Sequence, residues 1–166
     1  MQHGFLATFE KYELIAFFSG YAIVYLMVMG LWRKQGIFGI AKDRLIAYSY
    51  SITATLFLGY VLQKLFLGYS NGNGQLIIYR PYFVLFGILA VLFWIPSLSR
   101  LKALMLVHSL VFFALIPLDL AAYLIGSADR EQVRNDMNML TVSVVLNFST
   151  FILAFAALLI SRAIRR

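Results

Sequence analysis

Four stretches of this chain contain no charged residue: 19 residues between Glu13 and Arg33, 19 between Arg44 and Lys64, 19 between Arg80 and Arg100, and 25 between Asp136 and Arg162. A hydrocarbon layer about 30 Å thick needs about 20 apolar helical residues to cross it, so each stretch is long enough to span a bilayer. A fifth stretch, Ala103 to Gly126, is equally long and carries one acid, Asp119. The expected fold is an all-α integral membrane protein. It is a five-transmembrane-helix bundle with spans over residues 12–32, 44–68, 76–96, 103–126 and 138–161.

These spans use up most of the 166 residues, and the connections between them are too short to fold separately. Residues 1–166 therefore read as a single membrane domain. Apolar residues make up 62% of the chain and charged residues 13%, about half the charge of a soluble domain. Cysteine is absent, which excludes disulfides, thiolate metal sites, iron–sulfur clusters and covalent haem. No cofactor and no metal is expected. The net charge of +7 comes from bases beside the apolar segments, where they set orientation, so no nucleic-acid partner is expected and membrane lipid is.

Arg33, Lys34, Lys42, Arg44, Arg100, Lys102, Arg162, Arg165 and Arg166 fall on one side of the expected bundle, against Lys11, Arg130 and Arg134 on the other. By the positive-inside rule the amino terminus is outside and the basic carboxyl terminus cytoplasmic, in a multi-pass protein of the plasma (inner) membrane. Trp32 and Trp94 then mark the inner interface, and Tyr12, Tyr69, Tyr79, Tyr82 and Tyr123 an outer belt. The first span is too long, and its flanks are wrong, for a cleaved signal. Ser70-Asn71-Gly72-Asn73-Gly74 reads as a tight outer turn between the second and third spans.

Two spans carry small and polar residues at helical spacing. Ser143, Asn147, Thr150, Ala154, Ala157 and Ser161 follow a 4-3-4-3-4 pattern, and Ser51, Thr55, Gly59 and Gln63 recur every four residues. Helices in lipid associate through close backbone approach and hydrogen bonds, so both sets are expected to be packing seams. The partner helix belongs either to this chain or to another.

Ionisable residues inside spans need partners, because a charge near mid-bilayer costs about 2.5–3.5 kcal/mol on insertion scales. Lys64, Arg80 and Asp119 all lie in the outer half, and Lys64 and Arg80 are the expected partners of Asp119. His108 is eleven residues before Asp119, about 20° from it around the helix, so the two share a face with Pro117 between them. His108, Asp119, Lys64 and Arg80 are thus the candidates for an ion or proton pathway. The alternative is an ion pair, a hydrogen-bonded core histidine and a proline kink.

Enzyme readings find little support, and no catalytic residue is assigned: the two histidines lie in opposite halves, and no zinc-protease or nucleophile-elbow motif is present. Three functions remain. The leading one is a non-catalytic assembly or accessory subunit of a homo- or hetero-oligomeric membrane complex. The alternatives are a small cation or proton channel or carrier using His108 and Asp119, and a lipid-modifying enzyme.

Overall fold

The structure, a computed structural model, describes residues 11–31, 39–70 and 81–164. Arg80, Trp32, Tyr79 and the Asn71–Gly74 turn lie outside the described residues, as does the side chain of Tyr69. The described residues are helical throughout, apart from short turns, and contain no strand.

Helix α1 covers residues 11–31: an opening α-helical turn, a π-helical turn, Ile15–Ser19, and an α-helix, Tyr21–Leu31. Helix α2 runs over Gly39–Ser70. Helix α3 begins as an α-helix, Pro81–Leu89, and tightens into a 3-10 segment, Ala90–Trp94. A single turn at Pro96–Ser99 leads to α4, made of Lys102–Phe113 and Leu115–Leu124. Helix α5 covers Arg130–Ile164. Four of these are long and apolar enough to cross a membrane; the apolar part of α3, Tyr82–Trp94, is shorter.

The break in α4 at Ala114 lies three residues before Pro117, whose nitrogen cannot donate to the carbonyl of Phe113. The helix ends on Gly126 with φ +77°, a left-handed conformation suited to glycine. Ser127 N donates to Ala122 O at 2.9 Å and Gly126 N to Tyr123 O at 3.0 Å, a Schellman cap that turns the chain toward α5. Helix α5 starts about two turns earlier than the apolar run implies, because Asp129 O accepts from Gln132 N and Glu131 sits in the first turn, where an acid is favourable.

Polarity is reversed relative to a water-soluble bundle. Ser19, Ser49, Ser51, Thr53, His108, Ser109, Ser143, Asn147 and Thr150 are buried, whereas Leu62, Leu118, Leu124, Val145 and Leu153 are exposed. Exposed apolar side chains on each of the five helices suit lipid and would drive association in water. The core is aromatic: Phe18, Tyr21, Tyr50, Phe57, Phe93 and Phe112 are buried together.

The contacts fix relative direction. Glu13 at the start of α1 meets Lys64 near the end of α2, and Lys11 meets Asp119 near the end of α4 and Asp136 near the start of α5. Gly87 faces Phe57 and Trp94 faces Thr55, so α3 runs antiparallel to α2. These pairings place the start of α1, the ends of α2 and α4 and the start of α5 together, at what is called below the Lys11 end.

Candidate functional site

Three polar arrangements stand out in the bundle. The first surrounds the π turn of α1. A widened turn breaks the i→i−4 ladder and releases main-chain groups, each of which costs free energy if it stays unpaired in an apolar medium. Side chains from two neighbouring helices supply the partners. Asn147 Nδ2 donates to Phe17 O at 2.9 Å, Ser109 Oγ donates to Phe18 O at 2.8 Å, and Gly20 N donates to Ser143 Oγ at 2.8 Å. Within the turn, Ser19 Oγ bonds back to Ile15 O at 2.6 Å. Gly20 is required sterically as well: a Cβ there would lie 2.4 Å from Val144 N and 2.5 Å from Ser143 C, both main-chain atoms of α5. The network continues into α2, where Thr53 Oγ1 donates to Asn147 Oδ1 at 3.3 Å and Ser49 Oγ lies 3.2 Å from Thr150 Oγ1.

The second arrangement is centred on His108. Its Nε2 lies 2.7 Å from Phe86 O, and a carbonyl can only accept, so Nε2 carries the hydrogen. Nδ1 of the neutral ring is then the acceptor for the Tyr50 hydroxyl. Phe86 belongs to the last α-helical turn of α3, just before the ladder tightens. The imidazole stacks on Phe86 with centroids 4.5 Å apart, and the edges of Phe18, Phe93 and Phe112 close around it. Both nitrogens are occupied within an apolar cage.

The third lies at the Lys11 end. Lys11 Nζ is hydrogen-bonded to Asp119 Oδ2 and lies 3.2 Å from Asp136 Oδ2; Gln132 Nε2 donates to Asp119 Oδ2 at 2.6 Å. Beside it, Glu13 accepts from both Tyr60 and Lys64. Lys11 and Asp119 are mostly buried, at 13% and 20% side-chain exposure, and Asp136 is at 1%. Among the described residues, Asp136 Oδ1 is buried without a hydrogen-bond partner.

The partner of Asp119 is thus Lys11, not Lys64, which pairs with Glu13. Of the other expected partner, Arg80, nothing is described. His108 and Asp119 do share the inward side of α4, but Phe112 and Ile116 are buried between them on that same side. The two residues belong to separate networks about 16 Å apart along the helix.

On α5, Ser143, Asn147, Thr150 and Ala154 are buried, while Ala157 and Ser161 are exposed farther along the stripe. On α2 only Ser51 of the expected seam is buried; Thr55, Gly59 and Gln63 are exposed. The reason is angular. Four residues advance about 400°, so each step of a strict four-residue repeat drifts about 40° and three steps carry it about 120° around the helix. The buried side of α2 instead holds Ile46, Ser49, Tyr50, Thr53, Ala54 and Phe57.

Lys11, Gln132 and Asp136 were not legible as site residues, because they lie outside the uncharged runs, where Lys11 and Asp136 read as surface charge and Gln132 as a neutral surface residue. The one available signal was that Asp136 immediately precedes the longest run. Among the described residues no three metal-ligating side chains converge. Comparison with known proteins finds no matching family model, no similar curated protein and no similar solved structure.

Proposed function

We propose that the chain is a five-span plasma-membrane protein, amino terminus outside and carboxyl terminus cytoplasmic, that serves as a non-catalytic assembly or accessory subunit of a homo- or hetero-oligomeric membrane complex. The five-span reading rests on direction. The ends of α2 and α4 share the Lys11 end, so the chain between them must return to the opposite end before α4 can begin. Among the described residues only α3 is available for that passage. Its α-helical and 3-10 parts reach about 24 Å, since 3-10 geometry rises about 2 Å per residue.

The observation that carries the assembly reading is the exposed side of α2. Gly59 and Gln63 are types suited to close helix approach, and both are exposed; a Cβ on Gly59 would meet nothing within 4 Å, whereas Thr55, on the same stripe, already accepts from Trp94 Nε1 at 2.8 Å. A second chain packed there would give Gly59 and Gln63 a role that the chain alone does not.

A channel or carrier would need an open polar route between Asp119 and His108, where Phe112 and Ile116 are packed. An enzyme would need a reactive group that a substrate can reach, and His108 has both nitrogens bonded inside an aromatic cage.

The test is native mass measurement of the complex extracted in mild detergent, comparing the parent with Gly59→Leu. The open space at Gly59 lets the monomer fold with leucine, so the expected result is a folded protein that has lost its assembly. An assembly mass unchanged by the substitution would refute the reading.

A further inference from the structure

The Lys11 end has an imbalance that the assembly reading leaves unused. One ammonium, Lys11, faces two carboxyls, Asp119 and Asp136, in a region largely withdrawn from solvent. With all three ionised the group carries a net negative charge, and two carboxylates sharing one site resist joint ionisation. The group is neutral when one carboxyl holds a proton.

The geometry chooses between the two acids. Asp119 Oδ2 accepts from both Lys11 and Gln132 Nε2, the arrangement that stabilises an ionised carboxylate. Among the described residues Asp136 has only the 3.2 Å contact from Lys11 to Oδ2, while its Oδ1 is buried with no donor. An ionised oxygen left in that state is the costliest one the cluster contains. A metal cation would require several oxygen ligands and would sit against the Lys11 ammonium. A proton requires one oxygen.

We propose that Lys11, Asp119 and Asp136 form a proton-binding site that holds one exchangeable proton, carried on Asp136. The proton exchanges with the aqueous phase at the Lys11 end, through the partly exposed Lys11–Asp119 side of the cluster. Binding converts the Asp136 carboxylate to the acid and leaves a neutral Lys11–Asp119 pair beside it. Among the described residues the titratable and charged groups around Asp136 are Lys11 and Tyr12 from α1, with Asp119 of α4 bonded to the same Lys11 ammonium. Glu13 of α1 is held by Tyr60 and Lys64 of α2, and on α5 itself Glu131 and Arg134 pair on the exposed side. The site locks the start of α1 onto α4 and α5 while the proton is present. Stability therefore falls as pH rises and the folded protein releases a proton that the unfolded chain has already lost.

The experiment uses the full chain in detergent, with the infrared stretch of a protonated carboxyl as readout. The parent at neutral pH is expected to show this band. It should disappear in Asp136→Asn and persist in Glu131→Gln, which alters an exposed carboxylate. Asp136→Asn, whose amide has the shape of the protonated acid, should unfold at a temperature no lower than the parent and lose the parent's decline toward alkaline pH. Absence of the band in the parent overturns the proposal. So does a band that survives in folded Asp136→Asn, or a lower unfolding temperature for that variant, the result expected if Asp136 were simply an ionised partner of Lys11.

Discussion

The Asn147 side chain reaches across from α5 to donate to the main-chain carbonyl of Phe17 on α1, at 2.9 Å, in the turn where α1 leaves regular α-helical geometry. The same amide nitrogen also donates to Ser143 O at 2.8 Å, and Asn147 Oδ1 accepts from Thr53 on α2. One residue thereby links three helices in a medium where water cannot replace a lost partner.

Asn147→Leu removes these bonds without changing side-chain volume greatly. The half-buried Phe17 carbonyl loses its side-chain partner, at about 1–3 kcal/mol for a polar group left unsatisfied away from water, while the Thr53 hydroxyl keeps Ser49 O and Thr150 Oγ1. Thermal unfolding in detergent should show a clear loss of stability. Ser149→Leu, at an exposed position on the same helix, should show little change.

Gly20 and Gly59 should respond oppositely to alanine. At Gly20 the added carbon would press on the main chain of Val144 and Ser143, which cannot rotate away, and overpacking of this kind costs about 1–3 kcal/mol or more. At Gly59 the carbon enters open space on a helix that favours alanine over glycine by about 1 kcal/mol. Unfolding temperatures of the two variants, compared with the parent, check both signs.

Much of the fold was legible in the sequence because lipid imposes a length and forbids stray charge. Ile15, Thr55, Ser109 and Asn147, each from a different apolar run, all lie in helices long enough to cross a membrane. The run around Phe86 lies in a shorter helix, whose 3-10 tightening no residue in the sequence announces. The 4-3-4 repeat through Ser143, Asn147, Thr150 and Ala154 stays at one angle around α5, and these residues are buried; the 4-4-4 repeat from Ser51 rotates outward. The pairing of Lys11 with Asp119 joins residues 108 apart in sequence, and spacing along one helix carries no information about such a contact. The π turn was equally hidden, since Ile15–Ser19 has an ordinary apolar composition and its shape is sustained by side chains from other helices.

Lys11→Met and Lys64→Met should differ in cost. Lys11 is enclosed between Asp119 and Asp136, so its loss is expected to cost about 2–3 kcal/mol, between a fully buried pair and an exposed one. Lys64, with a side chain 44% exposed, should cost less than about 1 kcal/mol. Chemical denaturation of the two variants in detergent measures the difference.

Tyr50 and His108 should be energetically coupled. His108→Leu deprives the Tyr50 hydroxyl of its acceptor, and Tyr50→Phe deprives Nδ1 of its donor. The double variant should be more stable than the sum of the single losses implies, by about 0.5–3 kcal/mol in a double-mutant cycle. Additive losses would mean that the two side chains do not act as a pair.

The proposed topology, five helices crossing the membrane with the Lys11 end outside, can be read directly by labelling. Because the chain has no cysteine, single cysteines can be placed without background and probed with a membrane-impermeant thiol reagent. Asn73→Cys and Ser127→Cys should be labelled on intact cells, whereas Ser97→Cys and Arg165→Cys should be labelled only after permeabilisation. Labelling of Arg165→Cys on intact cells, or of Asn73→Cys and Ser97→Cys from the same side, would contradict the account.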